Sequence, residues 1–419
     1  MNKDVFMTDR MIVDAEHSER LPQPPKKPHL ITSDAEALDV AAGLAERFRE
    51  GASDRDRKRQ LPWDQIEEYT ASGLGAITVP REFGGADVSL VTLARIFEVL
   101  CAADPSLGQL PQNQFGVLAL LRDIGSPEQK SRIYADILNG LRIGNAGPEK
   151  GTKKVNVSTT RLTRTANGFR LSGRRFYSTG AIFAHWIPTR AIDEEDRAIQ
   201  VWVRREAPGV RIIDDWSSFG QRTTASGTVE FNNVPVDPEL VFPLWSFVKR
   251  AGLAGPISQL IQAAIDSGIA AAAITDTLSF VRERARPWVD FGGESASHDP
   301  TIIHEVGNLH ALFHAAQGVL HRAAAVIDDV AKSPVTDRSS AEASVAVAEA
   351  KILTTEIALA ATEMLFDLAG SSATRGAHNL DRHWRNARVH TLHDPVRWKY
   401  HLIGNYELNG TFPLRHQWN

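Results

Sequence analysis

The sequence predicts a mainly α-helical protein with a central β domain, and the order of three patterns supports this fold class. Apolar residues recur at helical spacing up to about residue 140, alternating segments follow to about 243, and long helical repeats fill the rest. This order differs from the strand–helix alternation of a doubly wound sheet. We expect four parts in chain order: a flexible arm over 1–30, a helical domain over 31–140, a β domain over 141–243 and a helical bundle over 244–419.

Helix start signals support both helical parts. In the N-terminal part, Ser33 can cap one helix and Pro62 can open another. Ser126 and Gln129 have the spacing of a capping box, so we expect four or five helices over 31–139. In the C-terminal part, three alanine-rich stretches of roughly 30 residues predict long helices of an antiparallel bundle, with small residues that suit an oligomer interface.

The central part predicts antiparallel strands that form a barrel or a sandwich. Helical periodicity is absent there, and apolar and polar residues alternate in short segments. Pairs of turn-forming residues separate these segments, at Asn167-Gly168, Pro208-Gly209 and Asn232-Asn233.

Composition restricts the functional classes. The 419 residues are 42% hydrophobic and 23% charged, as in ordinary globular proteins. A net charge of −4 gives no electrostatic reason to expect nucleic acid or a membrane as a partner. The single cysteine, Cys101, lies in an apolar helical pattern and predicts a small core residue in a reducing compartment. No apolar run reaches the ~18 residues of a membrane span and the start lacks a signal-peptide core, so we expect a cytoplasmic protein.

The stretch 382–400 concentrates arginines, histidines and tryptophans around a helix break at His393-Asp394-Pro395. Asp394 can cap a helix that Pro395 opens, which would place His393 beside the positive end of a helix dipole. That position disfavours the imidazolium, and a neutral histidine could act as a base. On spacing alone, a loop histidine between two surface helices is the simpler interpretation.

Metal and hydrolase motifs have little support. His304-Glu305 begins like a zinc motif, but Asn308 occupies the second ligand position. His310 and His314 share a helix face without an obvious third ligand, so we expect no metal site. The sequence contains no phosphate-loop signature and no Gly-x-Ser-x-Gly elbow.

Three other clusters could bind a ligand. Residues 176–180 combine hydroxyls with aromatics at a strand end, where a planar ligand could stack, although ordinary strand-end chemistry explains them equally. Residues 214–227 are dense in turn formers and hydrogen-bond donors, as ligand-facing loops and ordinary β loops both are. Arg286 and Arg375-Gly376 could hold a phosphate, whereas solvent-exposed arginines are the common case.

Taken in this order, the clusters resemble the acyl-CoA dehydrogenase superfamily over about residues 31–410. The segments RRFYSTGA, DDWSSFGQRTTASG, ARPW, DRHWRNAR and HTLHDPV are most similar to its flavin-dependent monooxygenase branch. The resemblance implies a helical domain, a β-barrel, a C-terminal four-helix bundle and a homotetramer. It also implies that a separate NAD(P)H-dependent flavin reductase supplies reduced FMN. Reduced FMN would react with O₂ to form a C4a-hydroperoxyflavin, which would oxygenate the substrate. We expect this substrate to be a small organosulfur compound.

The resemblance also assigns roles to single positions. Ser178 would approach flavin N5, and His393 would handle a proton. The positions assigned to the chemistry are Asn145, Ser178, His390, His393 and Asp394. The positions assigned to the cofactor are Tyr177, Ser178, Trp216, Arg286, Arg375 and Gly376. Gln109 and Asn113 match two substrate-pocket positions, and their polarity favours a small sulfone or sulfoxide over a bulky tricyclic thiophene.

One departure from the superfamily keeps an alternative open. The dehydrogenases carry a glutamate base followed by glycine, and the matching residues here are Asp394 and Pro395. The main alternative is therefore an FAD-dependent acyl-CoA or nitroalkane dehydrogenase or oxidase with Asp394 as base. A third hypothesis is a non-catalytic flavin-binding oligomer. We expect the monooxygenase, with His393 carrying the proton.

Overall fold

The computed structural model describes residues 20–23, 28–151, 157–166 and 168–419. Its N-terminal part is helical. Most of the predicted arm and the Asn167 half of one predicted turn lie outside the described residues. Seven helices occupy 34–138 of the described chain: α1 Asp34–Arg49, α2 Ala52–Lys58, α3 Trp63–Ala71, α4 Leu90–Ala103, α5 Pro105–Gln109, α6 Gln112–Ile124 and α7 Pro127–Leu138.

The predicted helix starts are confirmed, but the number of helices is larger than four or five. Ser33 accepts a hydrogen bond from the backbone of Glu36, and Ser126 with Gln129 forms a complete capping box. The additional helices α2 and α5 have 7 and 5 residues, too short for a repeating apolar pattern to reveal. Asp104 caps α5, which makes this segment a continuation of α4 after a sharp bend.

A seven-stranded mixed sheet follows, in the order β5-β6-β2-β1-β3-β4-β7. Its strands are β1 Arg161–Thr165, β2 Gly168–Arg175, β3 Trp186–Ile192, β4 Ala198–Arg204, β5 Val210–Ile213, β6 Thr228–Val236 and β7 Val241–Phe242. Neighbouring strands are antiparallel except β1 and β3, which run parallel at Arg161 and Ile192. The expected antiparallel barrel or sandwich is thus corrected to a mixed sheet whose strand order has two ends. Alternation reports which face of a strand is buried, and it carries no information about the direction of the neighbouring strand.

One predicted turn is a β-bulge. Asn232 and Asn233 lie inside β6, and Asn233 has a left-handed φ of 54°. The register of β2 against β6 shifts between Leu171 and Gly173 at this point. Asparagine tolerates a left-handed backbone in bulges as well as in turns, so the residue type alone could not separate the two.

The C-terminal part is dominated by three long helices, as predicted. A short helix, α8 Leu244–Phe247, precedes α9 Ala254–Glu283, α10 Pro300–Ala331 and α11 Asp337–Ala369, and the chain ends with α12 Asp381–His390 and α13 Arg397–Asn409. One apolar core joins the N-terminal helices, the sheet and the bundle. Cys101 is buried in this core, as expected.

The expectation that no segment is long and apolar enough to span a membrane is wrong for helix α9. By length and composition alone it passes that test, alone among the helices of the described chain. However, 83% of its 18-residue apolar window is buried inside the protein, as in the core helix of a soluble protein.

Candidate active site

The segment after β2 presents a buried hydroxyl without a partner. Tyr177 has a left-handed φ of 53°, and the next residue, Ser178, donates its backbone N–H to the Gly227 carbonyl at 3.1 Å. The Ser178 side chain is buried, yet its Oγ has no hydrogen-bond partner among the described residues. Buried polar groups are almost always hydrogen-bonded, so an unpartnered one points to a missing ligand or water.

The loop 214–227 lies directly on helix α12. The Gln221 backbone N–H donates to Asn386 Oδ1 at 2.7 Å, and the Trp216 indole N–H donates to the Gln221 carbonyl at 2.8 Å. The Trp216 ring meets the Tyr177 ring edge-on at 6.0 Å. Two of the clusters singled out from the sequence are therefore in contact with each other and with the stretch 382–400.

Gly220 permits this close approach, which yields a first prediction. A Cβ at this position would lie 2.0 Å from the Arg385 carbonyl oxygen, so Gly220→Ala must displace the loop from α12. We expect the free energy of unfolding, measured by urea denaturation, to fall by about 1–3 kcal/mol.

The matched control is Gly307→Ala on the exposed face of α10, where a Cβ meets nothing within 4 Å. Here alanine should stabilise by about 0.5–1 kcal/mol through its higher helix propensity. Equal effects of the two substitutions would contradict the close contact between loop 214–227 and α12.

The α5–α6 junction borders the same strand end. Asn113 donates its side-chain N–H to the Gly144 carbonyl, so this predicted pocket residue anchors the neighbouring backbone. The Asn145 side chain donates to the Tyr177 carbonyl at 3.4 Å and accepts from the Gly147 backbone. Gln109 is buried, and its Oε1 has no partner among the described residues. Of the two predicted substrate-pocket residues, Gln109 thus has an acceptor available to a ligand.

His390 is buried behind the site with both ring nitrogens occupied. Its Nδ1 lies 2.5 Å from Asp266 Oδ1, and its Nε2 lies 2.9 Å from Gln262 Oε1. Burial lowers the pKa of His390 below its ordinary value, although Asp266 acts in the opposite direction. Lys351 forms an ion pair with Asp266 at 2.6 Å. Asp266 and Lys351 were missed in the sequence analysis. For Asp266 the available signal was a lone charge within an apolar helical stretch.

His393 and Asp394 differ in exposure. The His393 side chain is 32% exposed, and its ring stacks against that of His390 with centroids 6.4 Å apart. Asp394 is buried, with His393 Nδ1 at 3.4 Å and Lys399 Nζ at 3.8 Å. Burial favours its neutral acid, but the hydrogen bond from His393 and the charges of Lys351 and Lys399 outweigh burial and lower the pKa of Asp394.

The prediction that Asp394 caps a helix is wrong. Helix α13 begins at Arg397, Val396 precedes it, and no side chain caps it. The lowered pKa of Asp394 therefore results from neighbouring cations, and not from backbone N–H groups. The helix also begins four residues after His393, so the positive end of its dipole starts later in the chain than predicted.

The predicted phosphate ligands lie at one end of the bundle. Phe280, near the end of α9, contacts His378 at 5.2 Å, so the segments that carry Arg286 and Arg375 are neighbours. Both arginines are exposed, and neither guanidinium has a polar partner in the ranges the structure describes. A Cβ at Gly376 would meet nothing within 4 Å. These residues are free to bind an anion.

The histidine pair on α10 stands apart from any larger ligand cluster among the residues that the structure describes. The rings of His310 and His314 lie 5.7 Å apart in an edge-on arrangement. Within the described ranges, no group of three or more His, Cys, Asp or Glu side chains could hold a metal ion.

Helical domain, central sheet and long-helix bundle follow one another in the arrangement of the acyl-CoA dehydrogenase fold. The family profiles for the acyl-CoA dehydrogenase N-terminal and C-terminal domains match residues 36–141 and 260–398. The chain belongs to the acyl-CoA dehydrogenase family, in its flavin-dependent monooxygenase branch.

Several of its relatives and structural neighbours are named as monooxygenases. Dibenzothiophene monooxygenase from Rhodococcus qingshengii is 32% identical over 408 residues, 93% of this chain and 98% of the relative. FMN-bound TdsC from Paenibacillus sp. A11-2 superposes with a TM-score of 0.87 at 30% identity, covering 91% of this chain and all of TdsC. The probable FMNH₂-dependent monooxygenase SfnC from Pseudomonas putida is 26% identical, covering 90% of this chain and 96% of SfnC.

Proposed function

We propose that the protein is a two-component monooxygenase that places one oxygen atom of O₂ on a small organosulfur compound and releases the other as water. FMN, reduced by a separate NAD(P)H-dependent flavin reductase, would supply the electrons that activate O₂. The observation that carries the proposal is the buried, unpartnered Ser178 hydroxyl at the junction of sheet and bundle. The similarity to dibenzothiophene monooxygenase over 93% of the chain supports it.

The residues of the site fit a flavin mononucleotide. Arg286 and Arg375 present free guanidinium groups that can bind a phosphate through paired hydrogen bonds. The Tyr177–Trp216 corner offers aromatic faces beside the Ser178 hydroxyl. Within the site, Ser178 and Asn145 would orient polar atoms at the reactive edge, while His393, the accessible histidine, would exchange a proton there.

One buried polar side chain, Gln109, supports a small substrate with oxygen on sulfur. The Gln109 side chain is buried and keeps its Oε1 free, while its N–H groups could donate to a sulfoxide or sulfone oxygen. Sulfur-compound oxygenation is also the activity named for the dibenzothiophene monooxygenases.

The dehydrogenase alternative has less support from the site. A base that removes a substrate proton needs a pKa near the working pH. The pKa of Asp394 is lowered by His393, Lys351 and Lys399, which makes it a weak base.

A homotetramer in the cytoplasm completes the proposal. Exposed apolar residues on α10 and α13 support the assembly (Ile303, Leu312, Trp398 and Leu408). Light scattering coupled to size-exclusion chromatography tests the assembly.

Isotope incorporation tests the reaction itself. The purified protein, FMN, NADH and a generic flavin reductase are incubated under ¹⁸O₂ with a panel of alkyl sulfoxides, sulfones and thiophenes. Mass spectrometry should find one ¹⁸O atom per product molecule, and none when the protein is omitted. Anaerobic bleaching of oxidised FAD by an acyl-CoA, with no labelled product from any compound, would contradict the proposal.

Ser178→Ala provides a second prediction. Because the Ser178 hydroxyl has no protein partner, its removal should leave thermal stability unchanged, whereas product formed per O₂ consumed should fall several-fold. Product chromatography and an oxygen electrode measure this ratio.

Ser246→Ala is the matched control for that experiment. The Ser246 hydroxyl is also buried without a partner among the described residues, but it lies in α8. This variant should retain both stability and coupling. An unchanged ratio in Ser178→Ala would show that the hydroxyl does not face the reacting groups.

A further inference from the structure

A buried ionic network lies behind His393 and has no part in the proposed function as stated above. Four helices contribute to it, and its members are Gln112 on α6, Gln262 and Asp266 on α9, Lys351 on α11 and His390 on α12. The side chains of Asp266, Lys351 and His390 are 0% exposed. Ionised side chains are rarely buried completely unless paired, so their placement here requires a reason.

The geometry fixes the hydrogen on one nitrogen of His390. Asp266 Oδ2 accepts from Lys351 at 2.6 Å and from Thr355 at 3.2 Å, which leaves Oδ1 for His390 Nδ1 at 2.5 Å. A carboxylate only accepts hydrogen bonds, so Nδ1 must carry the hydrogen. Nε2 lies 2.9 Å from Gln262 Oε1, while the Gln262 N–H donates to Gln112 Oε1. A protonated ring can donate to that oxygen directly, and a neutral ring accepts the Gln262 N–H once both amides are turned by 180°.

Charge balance selects the neutral ring. Lys351 contributes one positive charge and Asp266 one negative charge, so an imidazolium at His390 would leave a net charge buried among apolar residues. Burial also lowers the pKa of His390, as does the positive charge of Lys351. The other titratable groups near this pair of histidines are Asp394, Lys399 and His416, and Asp394 and Lys399 form an ion pair of their own.

We propose that Asp266 is a positioning residue that holds the hydrogen of His390 on Nδ1, and that Lys351, by balancing the charge of Asp266, keeps His390 neutral, so that His393 is the histidine that exchanges a proton at the site. The stacked rings are close enough for a charge on His390 to oppose a charge on His393. This inference rests on the proposed function, in which His393 handles a proton. It adds two residues that lie too deep to contact substrate.

Imidazole C2–H exchange followed by mass spectrometry tests the proposal on the FMN-free protein. The pH dependence of exchange gives the pKa of each histidine, and fragmentation between Thr391 and Leu392 separates His390 from His393. In Lys351→Met, Asp266 loses its cation, and the pKa of His390 should rise above the ordinary histidine value of about 6.5, because an unpaired carboxylate then faces its ring. Asp266→Asn combined with Lys351→Met should return it to the wild-type value, because neither charge remains.

Lys351→Gln is the second variant should Lys351→Met fail to fold, since the amide can still donate to Asp266. The control is Glu98→Gln, which alters another buried carboxylate that contacts a histidine, His321, at 2.7 Å. It should leave His390 exchange unchanged. Identical His390 profiles in the wild type and in the folded Lys351 variants would overturn the proposal.

The pH dependence of turnover gives a readout that a purely structural role would not change. In the Lys351 variants kcat should fall at neutral pH with KM unchanged, and it should recover as pH rises and His390 loses its proton again. A loss of kcat that does not depend on pH would count against positioning. Because exchange is measured without flavin or substrate, its outcome is independent of whether the proposed oxygenation is correct.

Discussion

Replacing His393 with alanine should lower kcat about 100-fold or more, the usual contribution of a positioned proton donor or acceptor. His393 is the partly exposed member of the stacked pair, while His390 is enclosed by Asp266 and Gln262. The measurement is labelled product formed per minute with the flavin reductase in excess. Flavin binding and thermal stability should remain close to wild type, because His393 contributes little to the core.

His401→Ala is the control for a lost histidine near this site. His401 lies on α13, contacts Trp398 at 5.2 Å and is exposed, so its removal should leave kcat unchanged.

Asp394→Asn separates the proposed monooxygenase from the dehydrogenase alternative. If Asp394→Asn abolishes activity while His393→Ala retains it, the dehydrogenase-like mechanism is favoured.

Lys351→Met should reduce the free energy of unfolding at neutral pH by about 3–5 kcal/mol, the typical result of removing one partner of a buried ion pair. Both side chains of the Lys351–Asp266 pair are 0% exposed, so water cannot compensate the remaining carboxylate. Urea denaturation measures the change. The double variant Asp266→Asn with Lys351→Met should be far less destabilised than the single one, since it buries no unpaired charge.

The stability difference between wild type and Lys351→Met should narrow as pH falls. In the wild type, burial lowers the pKa of His390, so unfolding takes up a proton below pH ~6.5 and stability declines there. In the variant, the unpaired Asp266 raises the pKa of His390. The folded variant then binds a proton that the unfolded chain lacks at pH 7–8, and it gains stability as pH falls. Denaturation at pH 8 and pH 6 should therefore give the larger difference at pH 8, and the opposite order would contradict the charge assignment.

Features that depend on a few consecutive residues were predicted well from the sequence. Ser33 caps α1, Ser126 and Gln129 form the capping box of α7, and α9, α10 and α11 run nearly as the alanine-rich patterns indicated. The motif segments also sufficed to predict the family, because they occur in its order along the chain. Capping and helical periodicity depend on residues only a few positions apart, so the sequence is sufficient to predict them.

Features that depend on partners distant in the sequence were decided only by the tertiary structure. The parallel pairing of β1 with β3 and the bulge at Asn233 follow from neighbouring strands. The sequence alone determined which residues surround the helix break at His393-Asp394. The tertiary structure brought Asp266 and Lys351 to the neighbouring His390. The protonation of a buried group depends on the charges that surround it in space, and residues about 85–125 positions away in the chain supply those charges to the network.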